Sequence, residues 1–264
     1  MNSYLIISIL FGSIFFVGVL TLFFEDFFKK IKSYVTTLGV SFVLSLICVH
    51  VLPELFSSEA KNLGLYLLIG FVIQIVLELF SRGIEHGHVH GDEHHHHSHE
   101  HNMVITPKIL YTLFFGLCVH AFIEGIPLFI LEDTHAHHHH AHEHVHLTQN
   151  NFEQVFFWAI VSHKIPVAIV LMLFFISAKV NKGVILVLFA IFAFMTPLGG
   201  LIGQYINNNA WFDSLSTNLL AVTTGMLLHI STSLIFEEYH EKKDKAKNLL
   251  LIIGGLLLGI VLFQ

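Results

Sequence analysis

His120 and Glu124 stand four residues apart in an apolar run, and His163 stands in the next one. Residues four apart in a helix share a face, one turn from each other. A ring nitrogen and a carboxylate so placed can grip one divalent cation, and imidazole suits Zn²⁺, Fe²⁺ or Ni²⁺ better than Mg²⁺ or Ca²⁺. Ionisable groups in a membrane interior are costly and mark substrate or ion pathways. One buried histidine alone is more often a hydrogen-bonded core residue than a ligand. Here His50, His120, His163 and His229 all fall in apolar runs, accompanied by Glu54, Glu78 and Glu124, and that company reverses the odds.

Prolines mark the same places. Pro127 lacks an N–H and collides with the carbonyl four residues back, Ile123, and Pro166 does the same to Ser162. Irregular backbone at membrane depth is tolerated where it is buried in protein or lines a wet cavity. One proline reads as a packing kink. Two kinks, each beside a histidine, point to one shared polar site. His50 and Glu54, again four apart, read either as an entrance or gate or as an interfacial histidine with a solvated glutamate. His229, beside Ser231, Thr232 and Ser233, either lines the route or bonds those hydroxyls or a neighbouring helix. Glu78, Glu237 and Glu238 read first as solvated helix-end charges and second as an exit.

The elements that position these residues are apolar helices. The 264 residues are 54% hydrophobic and 12% charged, with 26 Phe, whereas soluble domains carry about 25% charge. Runs at 4–24, 34–55, 63–80, 109–131, 155–178, 183–206, 216–236 and 248–263 approach or reach the ~20 residues that cross a bilayer. Residues 4–24 are too long and too uniformly apolar for a signal peptide and read as the first span. The expectation is an all-α polytopic membrane protein with eight transmembrane helices in one domain, 1–264. The net charge of −6 gives no sign of nucleic-acid binding. Cys48 and Cys118 form no framework and read as small buried side chains.

Charge then orients the chain. Lys29, Lys30 and Lys32, then Arg82 and Lys108, then Lys179 and Lys182, then Lys242, Lys243, Lys245 and Lys247 fall in the four odd-to-even breaks. The opposite breaks hold only Lys61, and Lys164 is inside a run. The positive-inside rule makes the lysine-rich side cytoplasmic and puts both termini outside.

Two loops are rich in histidine. The cytoplasmic loop 81–108 holds His86, His88, His90, His94, His95, His96, His97, His99 and His101. The extracytoplasmic loop 132–154 holds His135, His137, His138, His139, His140, His142, His144 and His146. Imidazole and the neighbouring carboxylates Asp92, Glu93, Glu100 and Glu143 bind zinc or copper, so each loop reads as a labile metal trap at a pathway mouth, with His94–His97 and His137–His140 as auxiliary ligands. The alternative is compositional drift in tolerant loops. His142 to His146 match the metalloprotease string H-E-x-x-H, but that chemistry needs a rigid helix, so no enzyme is expected.

These residues resemble the ZIP (Zrt/Irt-like) family of divalent-metal transporters. The likeness lies in H-x-x-x-E-G (His120, Glu124, Gly125), the His163 segment, H-x-x-P-E (His50, Pro53, Glu54) and Pro197-Leu-Gly199-Gly200-Leu-Ile-Gly203. The resemblance implies metal ligands His120, Glu124 and His163, uptake into the cytoplasm, and a homodimer. It also implies an elevator-type motion of helices one, four, five and six against the others. Two departures matter. Ala121 cannot ligate where many relatives have Asn or Ser. Lys164 and Val167 stand where some relatives carry acidic residues that help hold two metals. An ammonium there repels a second cation, so one metal is expected, with Lys164 either pairing with Glu124 until metal arrives or snorkelling to an interface. His₂Glu with water suits Zn²⁺ best, and Fe²⁺, Mn²⁺, Co²⁺, Ni²⁺ and Cd²⁺ remain open as cargo.

Two other classes fit the sequence less well. A cation-diffusion-facilitator exporter also has His-rich loops, but uses six spans, intramembrane Asp and a sizeable cytoplasmic domain. A membrane-anchored metal sensor or chaperone needs only the loops and leaves the intramembrane set unexplained. The expected home is the plasma (inner) membrane.

Overall fold

A computed structural model describes residues 3–58, 60–81, 107–128, 150–207, 213–241 and 245–263. The histidines of both His-rich loops, including His94, His95, His96, His97, His137, His138, His139 and His140, lie outside the described residues. So does Arg82.

Among the described residues the chain forms eight helical rods. They are α1 (Ser3–Phe23), α2 (Glu25–Ser57), α3 (Leu63–Ser81), α4 (Pro107–Gly125), α5 (Asn150–Ser177), α6 (Lys182–Asn207), α7 (Asp213–Glu241) and α8 (Lys245–Leu262). Six are long and apolar enough to cross a membrane, while α3 and α4 contribute the shorter apolar stretches Leu63–Leu79 and Leu110–Gly125. Large apolar side chains point outward along the helices, among them Phe16, Leu68, Val72, Leu79, Phe115, Val187, Leu250 and Val261. A surface of that kind is stable against lipid rather than water. The chain is an all-α polytopic membrane protein.

Two sequence expectations are corrected, and one local feature is added to them. The break at Glu25–Ser33 is helix: α2 runs 33 residues, about 50 Å, and so outreaches a hydrocarbon core of about 30 Å. Glu25 and Asp26 occupy its first turn, where the helix dipole favours them, and Lys29 pairs with Glu25 one turn on. Next, α2 is not regular near its end. Ile47–Val51 is a π turn in which the Leu52 amide donates to the Ile47 carbonyl. Pro53 accounts for it, because its ring crowds the Val49 carbonyl and widens the preceding turn. Lastly, Cys118 is buried but Cys48 is exposed on the outside of the bundle, a place that apolar surroundings make acceptable for a thiol.

The rods form two groups. Helices α1, α4, α5 and α6 pack with one another, as do α2, α3, α7 and α8, and the groups meet along α2/α5 and α3/α4. Glycines set the closest crossings. A Cβ on Gly125 of α4 would strike the Thr196 carbonyl, and Cβ atoms on Gly199 and Gly203 of α6 would strike the Phe122 and Ile126 carbonyls. The α4/α6 pair can therefore exist only with glycine on both sides of the contact. Gly255 and Gly259 likewise abut Ser41 and Ser45 of α2. Both G-x-x-x-G stretches thus serve packing within the chain.

Apolar cores follow these groups unevenly. At the face holding both termini, one cluster draws on α1, α2, α3, α5 and α7, with Ile6, Leu46, Leu55, Leu63, Phe156 and Leu220 among its members. Toward the lysine-bearing face the cores are separate. One is built only from α1, α4, α5 and α6, with Ile14, Leu117, Phe175 and Phe189. A small one joins Val40 to Ile230 and Leu234. The lysines Lys29, Lys30, Lys32, Lys179, Lys182, Lys245 and Lys247 all sit at that second face, and Lys61 at the first.

Candidate metal centre

The site lies where the two cores part. On α5, residues 155–161 feed the first cluster and residues 168–175 the second. Between them come His163 and Lys164, both 1% exposed. On α4, His120 and Glu124 are also buried, at 4% and 0%. A charged pair this deep in apolar surroundings must be compensated locally.

The end of α4 shapes the site. Pro127 cannot donate to Ile123, so the Ile126 amide takes that carbonyl instead, at 3.2 Å. The proline expected to kink α4 thus interrupts its regular run after Gly125, one residue after Glu124, and helix resumes at Pro127 and Leu128. Pro166 behaves otherwise: α5 continues through it from Asn150 to Ser177. Its ring faces Gly39 of α2, where a Cβ would come within 3.2 Å of the Pro166 Cγ and 3.3 Å of the Ser162 carbonyl oxygen. The α2/α5 seam is thus built around the proline.

His120, Glu124 and His163 each present one ligand atom, and those atoms lie within 4.8 Å of one another. His163 Nε2 is 2.8 Å from Glu124 Oε1, and His120 Nε2 is 3.7 Å from Oε2. The two rings stand edge to face with centroids 6.2 Å apart. The Lys164 ammonium lies 2.7 Å from Glu124 Oε2 and 5.7 Å from the centre of the Phe192 ring. It is buried rather than snorkelling, so of the two sequence readings the ion pair is the one present.

Hydrogen bonds on the far side of each ring decide what faces inward. His163 Nδ1 lies 3.0 Å from the Ala159 carbonyl oxygen, which can only accept, so Nδ1 donates. His120 Nδ1 lies 2.8 Å from the Gln74 side-chain oxygen on α3. In a neutral ring the remaining nitrogen, Nε2, then carries the lone pair. Both Nε2 atoms and both Glu124 oxygens are buried, and among the described residues they have no hydrogen-bond partner beyond one another and Lys164. A lone pair 2.8 Å from a carboxylate oxygen is repulsive unless a cation, a proton or a metal ion, lies between them. The arrangement could therefore trap a cation: two nitrogens and a carboxylate converge, with one ammonium already on the carboxylate.

The other singled-out residues lie elsewhere. His50 is half-buried beside Phe263, ring centroids 6.2 Å apart, and Glu54 is exposed at the end of α2. Neither joins the cluster. His229 turns to a neighbouring helix: Nδ1 is 3.6 Å from Glu78 Oε2 on α3, and its ring meets Phe71 at 4.7 Å. Glu78 stands one turn beyond Gln74 on α3, toward the lysine-bearing face. Ala121 is buried in the second core and Val167 packs against it, as residues without a ligand role would. Sequence reading missed Gln74, although a lone amide in the middle of α3 was the signal available.

No curated protein matches the chain. The family model for the ZIP zinc transporter matches residues 85–263, well over half of the chain and all three residues of the trap, and the chain belongs to that family.

Proposed function

We propose that the chain carries divalent metal, zinc first, from outside into the cytoplasm through a single site made by His120, Glu124 and His163. The observation that carries this reading is the convergence of two inward lone pairs and one carboxylate at the middle of the membrane-spanning bundle. Three protein ligands with water completing the shell bind zinc and still release it, whereas a closed cage of four is the form of structural sites. The donors are harder than thiolates, so Fe²⁺, Mn²⁺, Co²⁺, Ni²⁺ and Cd²⁺ are further candidates as cargo.

Direction rests on charge. The lysine-bearing face is cytoplasmic by the positive-inside rule, and both termini are outside, in the plasma (inner) membrane. His50 and Glu54 then stand near the outer face as a gate, and His229 with Glu78 lies on the way in. The His-rich loops collect metal at either mouth. An elevator-type motion suits the division of helices: α1, α4, α5 and α6 own a separate core and hold all three ligands. A homodimer would supply a fixed frame for that motion.

Metal flux into vesicles tests the proposal. Purified chain in proteoliposomes should take up zinc, and His120→Ala and His163→Ala should each lower the rate at least about tenfold, the scale of losing one ligand bond. Wild-type rates in both variants would overturn the site. A rate equal to empty vesicles for the wild type, with every metal of the panel, would overturn transport.

A further inference from the structure

We infer that Gln74 is a positioning residue of the metal site, holding His120 in the tautomer whose Nε2 can ligate; the inference rests on the transport reading above. Gln74 is 1% exposed in an otherwise apolar stretch of α3. A buried amide without partners costs about 1–3 kcal/mol, so its bond to His120 is what makes it tolerable there. The geometry assigns that bond a direction. With the amide oxygen 2.8 Å away, Nδ1 donates and Nε2 keeps its lone pair toward Glu124. Without that acceptor the ring is free to place its proton on Nε2, 3.7 Å from Glu124 Oε2. The ligand pair would then satisfy itself, and an arriving metal would first have to displace that proton.

His163 needs no such helper, because the Ala159 carbonyl of its own helix fixes it. His120 is fixed from outside its group, since α3 packs with α7 of the other group while α4 packs with α6 of its own. The full ligand strength of the site therefore exists only while α4 is seated against α3. A shift of one group past the other parts His120 from Gln74 and loosens the grip. The amide is also suited to cargo. A carboxylate partner raises the basicity of a ligating histidine and tightens the metal, whereas a neutral oxygen orients the ring without that gain.

Two near-isosteric variants of the full chain, Gln74→Leu and Gln74→Glu, separate positioning from packing. The measurement is zinc uptake into proteoliposomes, read as KM and Vmax beside the wild type. Losing an outer-shell partner of a metal histidine weakens the site about 10–100-fold, so Gln74→Leu should raise KM by about tenfold or more with Vmax held or increased. Gln74→Glu keeps an acceptor oxygen and should bring KM to the wild-type value or below, with a lower Vmax. A purely structural amide would leave KM unmoved in Gln74→Leu, or would raise it in both variants. Either result overturns the inference alone. If Gln74→Leu fails to reach the membrane, Gln74→Glu decides by itself: a KM above wild type overturns the role. An inactive wild type overturns the transport reading, and this inference with it.

Discussion

Glu124→Gln is expected to reduce zinc uptake to the level of empty vesicles. Among the described residues Glu124 is the only acidic one in the cluster, and both of its oxygens face ligand nitrogens or the Lys164 ammonium. The amide keeps the shape but loses the charge, and a divalent ion taken out of water needs that charge more than the shape. The change also strands Lys164, which is 1% exposed and 2.7 Å from the carboxylate. Removing one partner of a buried pair costs about 3–5 kcal/mol, a large part of a typical folding free energy, so the amount of folded protein should fall as well. Adding Lys164→Met removes the stranded charge. The double variant should recover folded protein, measured by monodisperse yield in detergent, and should still carry no zinc. Transport by the double variant would show that Glu124 acts on stability and not on metal.

Lys164→Met alone should tighten the site and slow its turnover. Near Glu124 an ammonium and a divalent ion compete for one carboxylate. At an effective dielectric near 20, a unit charge about 5 Å from a divalent ion opposes it by roughly 6–7 kcal/mol. The side chain can swing away, so only part of this reaches the measured affinity, and a fall in KM of about tenfold or more is expected, worth about 1.4 kcal/mol per tenfold. Vmax should fall too, because the returning ammonium helps release the metal. An unchanged or raised KM would remove Lys164 from the cycle. Ala121 and Val167 offer no ligand beside it, so the same ammonium also argues for one metal rather than two.

Much of this is legible in the sequence. Apolar runs separated by lysine-rich breaks foretold the rods, because a bilayer demands length and apolarity of each span independently of its neighbours. His120 and Glu124 declared themselves by spacing on one helix. His163 was found by type and depth, and the pairing of its segment with α4 needed the resemblance. Other features were hidden for physical reasons. Gln74 has its partner 46 residues away on another helix, and periodicity along one helix carries no sign of that. Glu25–Ser33 has the charge of a loop, yet a helix may project beyond the hydrocarbon and remain a helix. The π turn at Ile47–Val51 depends on how Pro53 is accommodated, and Pro127 and Pro166 show that proline can interrupt one helix and pass through another. The division into two groups is a matter of which glycines meet which carbonyls, and that exists only in three dimensions.

Anomalous scattering at the zinc edge, from crystals of the full chain grown with zinc, bears most directly on the proposed site. One ion is expected between α4 and α5, about 2.0–2.1 Å from His120 Nε2 and His163 Nε2 and about 2.0–2.2 Å from a Glu124 oxygen, with the Lys164 ammonium drawn back. No ion at that position, while zinc occupies other sites on the same molecule, would contradict it.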